Sequence, residues 1–217
     1  MGSHNSDRET ELVKIRENFV PISERYGVDL VLCGHSHVYE RSRLMQGHYG
    51  MEPTFNAQTN NLSASSGLYD GSNDACPYIK DATNKGTVYV VTGSAGAMGG
   101  KQASYPHDAM YYSHNTTGGA SMLEVEDNKL TLKFISADGE IKDHFVMMKA
   151  VNKRTVLNVK RGKPVQLTAS FIGNYTWTKS KATGRTLSLT PRVGKTIYEV
   201  YDPANCLRDV FEVNVSR

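Results

Sequence analysis

The chain has 217 residues, 39% hydrophobic and 22% charged, an ordinary globular composition that allows one large or two small domains. Its net charge of +3 is too small to imply a nucleic-acid partner. No run of about 18 apolar residues is present, so no membrane span is expected.

The charge is unevenly spread. Residues 151–217 carry 12 Lys+Arg against 4 Asp+Glu, whereas residues 1–150 carry 13 against 18. A shift of that size marks a domain boundary near residue 150, dividing the chain into 1–150 and 151–217. No signal peptide is visible, because Met1-Gly2-Ser3-His4 lacks an apolar core region. The three cysteines, Cys33, Cys76 and Cys206, are too few for a disulfide framework. Cys33 reads as a buried thiol, and a Cys76–Cys206 pairing stays open.

Residues 7–26 predict a helix. Ser6 or Asp7 is placed to cap it, and Leu12, Ile15, Phe19 and Ile22 recur at spacings of three and four to give one apolar stripe. Pro21 predicts a kink or break late in that helix, and Gly27 ends it. Residues 28–33 form an apolar run of strand length, consistent with a strand covered on both faces. The segment 50–85, rich in Asn, Ser, Gly and Thr, reads as a long loop; 87–92 is a second strand and 93–119 a glycine-rich loop. Strands Ser121–Glu126, Lys129–Ser136 and Ile141–Lys149 follow, joined by hairpin-type turns at Asp127-Asn128 and Asp138-Gly139. Beyond 151 come short, alternating strands: Thr155–Val159, Val165–Ala169, Tyr175–Lys179, Thr186–Leu189, Thr196–Tyr201 and Val210–Val215. That pattern is the signature of a small β-sandwich.

Gly34-His35-Ser36-His37-Val38-Tyr39-Glu40-Arg41 follows the apolar strand directly. Two histidines one residue apart, at the C-terminal end of a buried strand, can aim imidazole nitrogens at one small volume, and imidazole suits zinc, iron and other borderline metals. A polar turn is the structural alternative. Glu40 and Arg41 either orient these histidines or form an ion pair that closes the loop. The glycines of Gly93–Gly100 lack nucleotide-loop spacing and are expected to permit tight turns beside the site. His48, His107 and His114 lie in loops, where they either border the pocket or are simply solvated, and His144 reads as structural. No Gly-x-Ser-x-Gly nucleophile motif occurs.

The Gly-His-Ser-His-Val-Tyr-Glu-Arg stretch resembles the final metal-ligand motif of the purple acid phosphatases, within the calcineurin-like metallophosphoesterases. Phe19-Val20-Pro21-Ile22, Arg25 to Leu30, Gly86 to Gly96 and residues 121–149 add to the resemblance, which covers about residues 4–149. The resemblance implies an α/β fold, a partial metallophosphoesterase αββα sandwich. The C-terminal all-β sandwich is similar to immunoglobulin-like accessory modules of secreted bacterial enzymes.

The resemblance further implies a binuclear centre of iron with zinc, manganese or a second iron in the intact enzyme, with His35 and His37 as metal ligands. It implies hydrolysis of phosphate monoesters by metal-bound hydroxide. His4 corresponds to a histidine that faces the substrate and protonates the leaving group; the alternative is an unstructured terminus. The family's other ligand motifs are absent: no Gly-Asn-His and no Gly-Asp pair occurs. The chain therefore reads as the C-terminal part of a secreted or periplasmic phosphoesterase, inactive alone. With two ligands it should bind metal weakly or not at all. Half such a fold would expose a sheet and so self-associate. The other reading is a non-catalytic secreted binding or adhesion module.

Overall fold

A computed structural model describes residues 2–81 and 83–217. The chain is rich in β-strand, has few helices, and divides into two compact units. The first runs to Glu124 and includes Leu130–Met147; the second comprises Val125–Lys129 and Met148–Arg217. Among the described residues no helix is long and apolar enough to cross a membrane.

The first unit opens with α1 (Thr10–Lys14), a π-helical turn (Ile15–Phe19) and α2 (Val20–Arg25), stacked as one rod. The expected kink at Pro21 takes the form of this wide turn just before it. Pro21 has no N–H to return to the carbonyl four residues back, and a π-turn reroutes the bonding. The cap also differs from expectation. Neither Ser6 nor Asp7 caps the rod; the Glu9 carboxylate reaches back and accepts from the Asn5 N–H at 2.7 Å.

Four strands follow in a mixed sheet of order β1 (Leu30–Cys33), β4 (Val88–Thr92), β2 (Tyr39–Ser42), β5 (Met110–His114). The β1–β4 pair is parallel and the other two are antiparallel. A second sheet has the order β3 (Tyr78–Lys80), β8 (Ile141–Lys149), β7 (Lys129–Ser136), β6 (Gly119–Glu126). Three strands lie outside the sequence expectation. Both β3 and β5 fall in segments read as loop, and β2 lies in the metal-motif stretch. The 50–85 segment also holds a 3-10 turn (Glu52–Thr54) and α3 (Ala57–Asn60), whose Asn56 side chain accepts from the Gln58 N–H.

Period-two alternation sorts the strands' side chains. Tyr39, Val88 and Val90 of the first sheet meet Tyr78, Leu132, Phe134, Phe145 and Met147 of the second in one buried core. Arg41 also points into that core and is 0% exposed. Its guanidinium donates to both Asp143 oxygens, Nε to Oδ2 at 2.6 Å and Nη2 to Oδ1 at 2.8 Å. Nη1 donates to the Ser66 carbonyl and the Tyr78 hydroxyl, and the Tyr39 hydroxyl donates to Asp143. The expected Glu40–Arg41 pair does not form, because neighbours on a strand face opposite ways.

Two expectations about burial are corrected. Strand β1 is not covered on both faces: it lies at the sheet edge, Leu32 is 45% exposed, and Cys33 is exposed and free. The helical stripe expected in the core points outward, with Ile15, Phe19 and Ile22 all more than half exposed. The inward face of the rod is held by polar bonds instead. Glu24 accepts from Gly47 N–H and from the Tyr49 and Tyr89 hydroxyls, and Arg16 donates to the Tyr49 and Ser6 carbonyls and to Asp7.

In the second unit, β9 (Arg154–Lys160), β11 (Thr176–Trp177), β13 (Gly194–Tyr201) and β14 (Arg208–Ser216) form a sheet of order β11-β13-β14-β9. A β10–β12 pair (Val165–Thr168 and Thr186–Leu189) forms another. Strand β14 alternates strictly, burying Asp209, Phe211, Val213 and Val215. Trp177 packs 5.8 Å from Phe211 and donates its indole N–H to the Gly184 carbonyl.

Removing one member of a buried ion pair strands the other. Arg41→Ala should therefore cost about 3–5 kcal/mol of stability, read from urea unfolding. The double variant Arg41→Met/Asp143→Leu should be more stable than Arg41→Ala; equal or lower stability would contradict the account.

Candidate functional site

The loop between β1 and β2 carries both motif histidines. His35 takes a left-handed backbone conformation, φ +62°, which is uncommon for a residue with a Cβ. The turn is held by Ser36 N–H to the Gly34 carbonyl at 2.8 Å and Val38 N–H to the Ser36 carbonyl at 2.9 Å. The glycine-rich segment after β4 lies directly against it. A Cβ on Gly93 would collide with the Ser36 carbonyl, and one on Gly99 with Ser3. Gly93 and Gly99 donate their N–H groups to the Val38 and His37 carbonyls. These glycines allow the close backbone approach that supports the histidine loop.

His4 is brought to the same place. Ser3 N–H donates to the Ser36 hydroxyl at 2.8 Å, and the His37 N–H donates to the Ser3 hydroxyl at 2.9 Å. The His4 and His35 rings stack with centroids 3.8 Å apart. Glu9 lies beside both rings, its Oε2 2.7 Å from His4 Nδ1 and 3.9 Å from His35 Nε2. The hydrogen bond from Asn5 N–H, then that from His4, holds the Glu9 carboxyl below its ordinary value. Among the described residues, His4, Glu9 and His35 form the one group of three metal-capable side chains. His37 falls outside it, with its Cβ beside Gly99.

Glu9 is the site residue that the motif does not announce. Its signal was the spacing Ser6-Asp7-Arg8-Glu9, that of a capping box, in which the last carboxylate reaches back to the backbone.

Behind the loop, a cavity of about 230 Å³ lies between the helical rod and the outer face of the first sheet. Leu12, Val91 and Met110 supply apolar wall; Glu40, His48 and His107 supply polar groups; His4 and His35 also line it. His48 and His107 are therefore not solvated loop residues; each is 8% exposed. Their rings meet edge to face at 5.9 Å, and His107 Nδ1 accepts the Ala109 N–H. Burial pushes the Glu40 carboxyl up and the His107 imidazole down to about 4. His114 lies in β5 and bonds to Thr117.

A family-type two-metal centre does not fit the donors present. One group of three side chains can serve a single ion, and no second group stands beside it among the described residues.

No protein-family profile matches this chain. Two uncharacterized proteins of Mycobacterium tuberculosis, from strains CDC 1551 / Oshkosh and ATCC 25618 / H37Rv, are each 47% identical over 38 residues. That stretch is 18% of this chain and 7% of each relative's length. The chain is similar to the purple acid phosphatase PPD1 from yellow lupin (Lupinus luteus) seeds at 19% identity and a TM-score of 0.44. The similarity covers 61% of this chain and 20% of that one. The N-terminal four Ig domains of Dscam1 isoform 1.9 align over 87% of this chain and 43% of theirs, at 9% identity and a TM-score of 0.24.

His107 links folding to pH. Its folded value, about 4, lies below the ordinary 6.5, so the unfolded chain takes up a proton that the folded chain refuses. Stability present above 6.5 should fall by up to roughly 3 kcal/mol as pH drops toward 4. Urea midpoints measured across this range should show the slope, and His107→Leu should flatten it.

Proposed function

We propose that this chain carries the histidine-loop portion of a metal-dependent phosphoesterase acting on phosphate monoesters. The observation that carries this reading is the Gly-His-Ser-His turn at the C-terminal end of β1, with His35 held at positive φ and His4 stacked on it. In this reading His35 and His37 are metal ligands of the assembled enzyme, and His4 is the group that protonates the leaving alcohol. A metal centre, when bound, polarises the phosphoryl oxygens. The remaining ligands are not among the described residues, so the chain alone is a poor catalyst. The matched relatives are far longer than the stretch they share with it, and the activity of any larger protein is part of this proposal.

The test is hydrolysis of p-nitrophenyl phosphate with added zinc, iron or manganese, in wild type, His35→Ala and His37→Ala. Rates at the level of buffer plus metal are expected for all three. Turnover lost in both variants would show that the chain already holds a working site. Turnover indifferent to both would overturn the phosphoesterase reading.

A second reading, a self-associating module, is favoured by one observation. Ile15, Phe19, Ile22 and Tyr26 form an exposed apolar stripe at helical spacing, and β1 lies at the edge of its sheet. Edges and faces of this kind drive pairing. In this reading the occupant is a second copy of the chain. Sedimentation velocity at micromolar concentration should show dimers, and Phe19→Glu should return monomers; a strictly monomeric wild type would exclude it.

A further inference from the structure

We infer that His4 Nδ1, Glu9 Oε2 and His35 Nε2 form a mononuclear site for zinc or a similar divalent first-row metal, with His37 taking no part. The inference concerns metal binding in this chain alone, where it gives His4 and His37 roles different from those in the assembled phosphoesterase, and it does not rest on that reading.

Three observations support it. The first is donor chemistry: two imidazoles and one carboxylate make a ligand set typical of zinc sites that keep an open position. The second is distance. Ligand bonds of about 2.0–2.2 Å in a tetrahedral site put donor atoms about 3.3 Å apart. The Glu9 oxygen lies 2.7 Å from His4 Nδ1 and 3.9 Å from His35 Nε2, on either side of that spacing. All three donors lie within 4.8 Å of one another, and coordination requires the His4 and His35 rings to leave their stacked arrangement so that their in-plane lone pairs meet at one point. The third is support around the donors. The second Glu9 oxygen accepts the Asn5 N–H at 2.7 Å, which fixes the carboxylate's orientation. Ser3 ties the His4 segment to the Ser36 hydroxyl, and the loop fixes His35 in its unusual backbone state.

Without metal, the His4 Nδ1–H donates to Glu9, and the stacked His35 ring has the same carboxylate at the edge of reach. A cation at the centre of the group would replace that proton and draw both rings to one point. His37 is turned elsewhere, its N–H on Ser3 and its Cβ against Gly99. The ligand pair suggested by the motif alone is thus divided, and its second imidazole is replaced by His4 and Glu9. Ligation through Nδ1 would also leave His4 Nε2–H as a fixed hydrogen-bond donor at the cavity that His4 and His35 both line.

The experiment is zinc titration of the purified full chain against a chromophoric chelator, with cobalt(II) absorption as a second readout of coordination. Wild type should bind one zinc per chain and give the intense visible bands of four-coordinate cobalt. Glu9→Gln, His4→Ala and His35→Ala should each weaken zinc binding by at least about tenfold, whereas His37→Ala should stay within about twofold of wild type. All four side chains are partly or well exposed, and circular dichroism of each variant checks that it folds. Loss of binding in His37→Ala with Glu9→Gln unaffected would assign the ion to the Gly-His-Ser-His pair and overturn the inference. So would wild type that binds no zinc. Neither result depends on phosphatase turnover, so failure of this site and failure of the phosphoesterase reading are told apart.

Discussion

The guanidinium of Arg41, clamped on Asp143 inside an otherwise apolar core, is the interaction on which the first unit depends. It joins a strand of the first sheet to a strand of the second through two parallel hydrogen bonds. A charge so deeply placed is tolerable because four of its five N–H donors are used: Nη1 serves Ser66 and Tyr78 beside the two bonds to Asp143, and the guanidinium lies over the Tyr111 and Phe145 rings. The histidine loop hangs between the end of β1 and the start of β2, so this clamp fixes one of its two anchor points. A second buried cation fixes the start of β1. Lys80 lies 2.7 Å from Asp29 and donates to the Gly27 and Val28 carbonyls just before β1 begins.

The same economy appears on the outer face of the first sheet. A helix usually turns its apolar stripe inward. Here the rod is seated by Glu24 and Arg16, and its apolar stripe faces out. The space beneath it stays partly open and is lined by an acid whose carboxyl burial pushes up and by two imidazoles that burial pushes down.

Much of this was legible in the residues. The strands of the second unit lie within a few residues of their expected places, because alternation such as that of β14 encodes a face directly. Strand β1 was readable as a short apolar run, and β4, β7 and β8 also lie where they are expected. Strand β2 was not: Tyr39-Glu40-Arg41-Ser42 reads as polar, and what buries Arg41 is a carboxylate about a hundred residues away. Strands β3 and β5 are short and set within Asn-, Ser- and Gly-rich sequence. Periodicity identified the helix but could not say which face is covered, since that depends on what stands opposite. At the site, the motif made His35 and His37 visible, yet it says nothing of backbone direction. The turn that separates the two imidazoles, and the Glu9 carboxylate that reaches back, are products of folding.

The opposed directions of Glu40 and Arg41 carry a further consequence, for strand register. A slip of one residue along β2 would swap their faces. Glu40 would then enter the aromatic slot opposite Asp143, carboxylate against carboxylate, while Arg41 would lose its partner. Few single-residue slips are so heavily penalised from both sides. The adjacent pair of opposite charges thus works as a ratchet tooth that admits one alignment of the sheet and, through it, one position for the loop that begins at Gly34.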